Sequence, residues 1–147
     1  MGVVFQPYVP LTDYVHIGYR MEHMMRCLLL RPLMKEEEYR AFLEKGMAYD
    51  DEGAEVIMEK ILGDLDGEAS DDVILGIKAF VDHSDCDGDF GEESCEYIYK
   101  AFDWALKVYE NVPNLKANTD PVFFETMEHL RDLFKQAFDG NGIMMLY

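Results

Sequence analysis

Residues 91–111 read GEESCEYIYKAFDWALKVYEN, and this run decides the fold class. Cys95, Ile98, Phe102, Ala105, Leu106 and Tyr109 recur at three- and four-residue spacing, which on a helix places them along one face. The spacing predicts a helix to about Asn111. Downstream, Asp120 followed by Pro121 forms an N-cap with proline at the first helical position. The helix it opens carries Phe123, Met127, Leu130, Phe134 and Ala137, and Asp139-Gly-Asn-Gly142 ends it.

Upstream of the run the same periodicity returns. Ser70 caps a helix whose first turn holds Asp71 and Asp72 against the positive helix end, with Val73, Ile77 and Phe80 as its apolar stripe. Glu52 to Leu62 repeats the pattern through Val56, Ile57 and Ile61, and Gly63 stops it. Lys35 to Lys45 carries Tyr39, Phe42 and Leu43 on one face. Ile17, Met21, Met24 and Leu28 predict an opening helix from about Tyr14 to Leu30, stopped by Pro32.

The two outer segments read differently. Val3 to Val9 is β-prone, with Pro7 demoting it toward a sheet edge, and Ile143 to Tyr147 is short and apolar. The expectation is a mainly α fold: a single domain over residues 1–147, a bundle of about six helices with a small two-stranded sheet formed by the N- and C-terminal segments. At 147 residues with 49% hydrophobic and 13% aromatic content, the chain can bury a core without disulfide or metal staples.

Charge is the next constraint. The net charge is −17, from 30 acidic and 13 basic residues, so a phosphate backbone would on average repel the molecule and direct nucleic-acid binding is disfavoured. The imbalance is local. Asp50 to Glu96 holds 17 acidic residues against Lys60 and Lys78, a net −15, whereas the other 100 residues carry 13 acids and 11 bases, a net −2.

The odd set Cys27, Cys86 and Cys95 reads as reduced thiols, and residues 1–14 lack the basic start and apolar core of a signal peptide. Gln6 stands where a myristoylation signal needs Ser or Thr, and no stretch reaches the apolar length of a membrane span. The expected location is cytoplasmic, with no membrane contact.

Between two predicted helices lies His83-Ser-Asp-Cys-Asp-Gly-Asp-Phe-Gly-Glu-Glu-Ser-Cys-Glu96, which resembles the calcium loop of the EF-hand family. Asp85, Asp87 and Asp89 match loop positions 1, 3 and 5; Gly91 and Glu93 match 7 and 9; Glu96 matches the bidentate acid at 12. Position 6, where the loop turns on glycine, is Phe90, and position 8 is Glu92. The resemblance implies calcium as ligand of Asp85, Asp87, Asp89 and Glu96; the other reading is an Asp-rich turn whose carboxylates cap nearby amides, with no cofactor. The hexapeptide His83-Ser-Asp-Cys-Asp-Gly88 also resembles a group of small bacterial and phage proteins carrying this motif, then a helix and an apolar end. That likeness spans roughly residues 73–147 and implies a microbial, intracellular origin.

Other constellations are weaker. His83, Cys86 and Cys95 would supply three zinc ligands, but their spacing fits no paired CxxC pattern and a structural site needs a fourth. His23 and Cys27 lie one helical turn apart without a third orienting group, His129 follows Glu125 at the same spacing, and His16 has no named partner. Phosphate-binding, dinucleotide, nucleophile-elbow and zincin signatures are absent, so the expectation is a chain that is not an enzyme, with no catalytic residues.

These observations point to an acidic interaction or inhibitor protein that mimics nucleic acid. It would dock its negative face on a cationic, nucleic-acid-binding surface of a basic partner protein such as a nuclease, in phage counter-defence or toxin immunity. The carboxylates that would carry docking are Asp50, Asp51, Glu52, Glu55, Glu59, Asp64, Asp66, Glu68, Asp71 and Asp72, with Tyr49 and Tyr97 as apolar anchors. The alternatives are a calcium-binding module and an acidic soluble domain without a charge-based partner.

Overall fold

The computed structural model describes residues 2–8, 14–37, 39–40, 71–81, 83, 88–117, 119–140, 142 and 144–146. In chain order these give β1 (Gly2–Pro7), β2 (Val15–Gly18), α1 (Tyr19–Leu30) with a 3-10 turn at Arg31–Leu33, and α2 (Asp71–Val81). β3 (Gly88–Phe90), α3 (Glu92–Asn111), a short α4 (Pro113–Ala117), α5 (Pro121–Gly140) and β4 (Met144–Leu146) follow. The described part of the protein is mainly helical with a small antiparallel sheet.

The helices form where apolar periodicity demanded them. On α3, Cys95, Ile98, Phe102, Ala105, Leu106 and Tyr109 are all buried. On α5, Met127, Leu130, Phe134 and Ala137 are buried together with Leu133, and the Asp120 carboxylate accepts the Val122 amide at 3.0 Å as the expected N-cap. α2 buries Val73, Ile77, Phe80 and Val81 against α3. The described residues hold four long helices and the five-residue α4, fewer than the six or so expected. Of the two remaining expected helices, residues 35–45 are helical at 36–37 and 39–40, where the Tyr39 amide donates to the Lys35 carbonyl. The rest of that helix and all of 52–62 lie outside the described residues.

The outer segments do pair: β1 and β4 run antiparallel with Phe5 opposite Leu146 and Pro7 opposite Met144. Among the described residues the sheet nevertheless has four strands rather than two, in the order β2-β1-β4-β3. Three expectations are corrected by it. First, the opening helix starts at Tyr19 rather than Tyr14, because Val15 and Ile17 alternate with His16 and Gly18 as a strand opposite Phe5 to Gly2.

Second, β1 is an inner strand and not an edge. Its partners divide its length: β2 takes Gly2 to Phe5 and β4 takes Phe5 to Pro7, so Pro7 falls at the strand's last position, where a missing N–H costs the ladder least. Third, the Asp-rich stretch 83–91 contains a strand, β3, with Phe90 opposite Met144.

Phe90 explains that strand. Its ring is buried among the rings of Phe5, Phe80 and Phe134, with centroids 6.4, 6.2 and 5.2 Å away. Phe102 joins through Phe80 at 5.1 Å, so five phenylalanines from β1, α2, β3, α3 and α5 form the centre of the core. Gly142 closes the α5-β4 connection. Its φ is +80, and a Cβ there would meet the Glu92 side chain at 2.5 Å.

Candidate functional site

Most of the acidic segment falls outside the described residues: Asp50, Asp51, Glu52, Glu55, Glu59, Asp64, Asp66 and Glu68 of the docking set, with Tyr49, Asp85, Cys86 and Asp87. What is described is its frame. Asp71 begins α2, Asp72 follows it, Asp89 is exposed on β3, and Glu92 and Glu93 are exposed in the first turn of α3. Those two glutamates lie at the positive helix end, where anionic side chains are stabilised.

The structure brings Asp72 and Glu96 together across one cation. Lys100 Nζ donates to Asp72 Oδ2 and to Glu96 Oε1, each at 3.0 Å, and these hydrogen bonds raise the Lys100 pKa above its ordinary value. Cations elsewhere engage acids outside the segment: Lys107 and Arg131 meet Asp103, Arg131 also meets Asp132, and Arg40 meets Glu36.

Of the calcium-loop residues, Asp89 and Glu96 are described. Phe90 has the extended backbone of a strand where the EF-hand loop turns on glycine, and the Glu96 carboxylate is engaged by Lys100. Among the described residues no group of three or more His, Cys, Asp and Glu side chains is gathered as a metal site. Cys95 packs under β3, its thiol donating to the Phe90 carbonyl at 3.5 Å, and burial pushes its pKa up to about 12. Cys27 is fully buried and desolvation drives its thiol pKa well above the ordinary range, so it carries no thiolate at neutral pH. His129 and Glu125 are exposed on α5, and His16 is exposed on β2 rather than on a helix.

The feature that sequence reasoning missed is a buried ion pair in α1. Glu22 and Arg26 are 1% and 3% exposed, and Arg26 Nε meets Glu22 Oε1 at 2.6 Å. The other guanidinium nitrogens donate to the Val81 carbonyl at 2.6 Å and the His83 carbonyl at 2.8 Å, so Arg26 caps the C-terminal end of α2. The signal was present: an acid and an arginine at i and i+4 inside the apolar series Met21, Met24, Met25 and Leu28. His83 continues the chain of contacts. Its Nε2 lies 2.6 Å from the Asp89 carbonyl and its ring stacks on Phe90 at 3.9 Å.

No family model, curated protein or solved structure matches the chain. Among the described residues no helix is long and apolar enough to cross a membrane. The functional reading therefore rests on charge, burial and geometry.

Proposed function

We propose that this chain is an acidic binding protein that docks its 50–96 segment on the cationic, nucleic-acid-binding surface of a partner protein and competes there with phosphate. The observation that carries the reading is segregation: a net −15 within 47 residues, while the remaining 100 hold −2. Solubility needs surplus charge but not its concentration in one stretch. A one-signed surface accelerates encounter with a basic partner and selects against acidic ones.

The geometry supports the reading in two ways. Asp89, Glu92 and Glu93, within the segment, are exposed on consecutive elements. Lys107, Arg131 and Arg40 are paired with acids outside it. A stoichiometric inhibitor of a nuclease or toxin enzyme needs no catalytic group, and the hexapeptide likeness to bacterial and phage proteins suits such a setting.

The test is inhibition of a basic, non-specific nuclease by the purified chain, with plasmid cleavage followed from about 50 to about 500 mM salt. Inhibition should weaken steeply as salt rises and should fall in a variant with Glu52, Glu55 and Glu59 changed to Gln. Binding that ignores salt, or a preference for an acidic partner, would remove the proposal.

A further inference from the structure

A continuous series of contacts runs from the middle of α1 to the edge of the sheet. Glu22 fixes the Arg26 guanidinium; Arg26 holds the carbonyls of Val81 and His83; the His83 ring reaches the Asp89 carbonyl and covers Phe90. β3 is an edge strand of three residues, joined to the sheet through β4. So short an edge has little pairing of its own to hold it. The geometry points to Arg26 as a buried strap that sets the position of β3, and with it the exposed carboxylates of Asp89, Glu92 and Glu93, from a helix that presents none of them.

Three features argue for a positional role. Arginine supplies the planar fork that can serve Glu22 and two carbonyls at once, which lysine cannot. The guanidinium lies 5.9 Å from the Phe80 ring, so its plane is held from the core side as well. A buried ion pair is a poor source of net stability compared with apolar residues of the same volume, whereas its directional bonds discriminate between alternative packings.

This inference rests on the proposed docking face only for its effect on binding; the strap is read separately, by hydrogen exchange of the intact chain. In Arg26→Met, amides of 88–90 and 144–146 should exchange at least roughly tenfold faster, together with those at the end of α2. Amides in the centres of α3 and α5 should keep their protection. In His83→Ala, β3 and β4 should loosen while the end of α2, still held by Arg26, does not. The second variant retains the buried pair, so it decides the matter if Arg26→Met fails to fold. Unchanged β3 exchange in His83→Ala, or uniform loss of protection across α3 and α5 in a folded Arg26→Met, would overturn the strap. With the strap upheld, a loss of salt-sensitive nuclease inhibition in His83→Ala would tie it to docking. If wild type itself shows no such inhibition, the docking reading fails and the strap stands.

Discussion

Gly76 of α2 lies directly against the backbone carbonyl of Tyr97 in α3, closer than any side chain would permit. A Cβ built on Gly76 collides with that carbonyl and comes within 2.9 Å of the Ala101 Cβ. The two helices are in contact through glycine and alanine, and the neighbouring Ile77 and Phe80 reach the core because of that approach.

Gly76→Ala should therefore destabilise the protein by about 2–3 kcal/mol, although alanine is the better helix former, because overpacking against backbone cannot be relieved by a rotamer change. Urea denaturation followed by circular dichroism gives the value. A neutral or stabilising result would mean that the α2-α3 contact is looser than described.

Tyr109 is the second point of leverage. Its hydroxyl donates to the Leu28 carbonyl at 2.7 Å. The residue four positions on from Leu28 is Pro32, which has no N–H to give, so the phenol supplies the donor that the helix end lacks. Tyr109→Phe should cost about 1–2 kcal/mol in the same denaturation assay, with the aromatic packing on Phe124 retained.

Alkaline stability follows from the thiols. Cys95 titrates near 9.0 when unfolded and at about 12 when folded, and Cys27 is also raised by burial. Above pH 9 the unfolded chain loses protons that the folded chain keeps, so stability is complete below pH 9 and declines toward pH 12. Each thiol contributes up to about 1.4 kcal/mol per pH unit. Under reducing conditions, urea midpoints should fall progressively from pH 9 to pH 11, and Cys95→Ala should make that fall shallower. An unchanged slope would show that other groups govern it.

Lys100 offers a test of the charge argument from the opposite direction. It partly neutralises Asp72 and Glu96, so Lys100→Gln should strengthen inhibition of a basic nuclease several-fold at low salt, with the gain vanishing as salt rises. Glu96→Gln should do the reverse. Calorimetric titration with calcium belongs beside it: the expected result is no response below about 1 mM, since calcium would have to displace Lys100 from Glu96.

The helical part was legible because burial follows a period the sequence displays. The stripe from Cys95 to Tyr109 and the Asp120-Pro121 start are local signals, and both appear where expected. The sheet was half legible. Pairing of the outer segments follows from their composition, but the pattern at Ile17, Met21 and Met24 fits a helix as well as Val15 and Ile17 fit a strand. The inner place of β1 decides between them. Phe90 was obscured by the carboxylates around it, which read as a turn until the core claims its ring. The Glu22-Arg26 pair was hidden for another reason. Its partners, the carbonyls of Val81 and His83, are backbone groups more than fifty residues away, and no side-chain pattern announces them.

The strand order β2-β1-β4-β3 has a temporal meaning. As the polypeptide is synthesised, the β1-β2 hairpin can close early, yet one side of it waits for β4, the element made last among those described. Until then the hairpin presents unpaired amides to its surroundings, and β3 has no sheet to join. Ribosome-bound intermediates stopped before Met144 should thus be the sticky ones, and a chaperone that shields the Phe5 to Pro7 side would be of most use to this protein until β4 has been made.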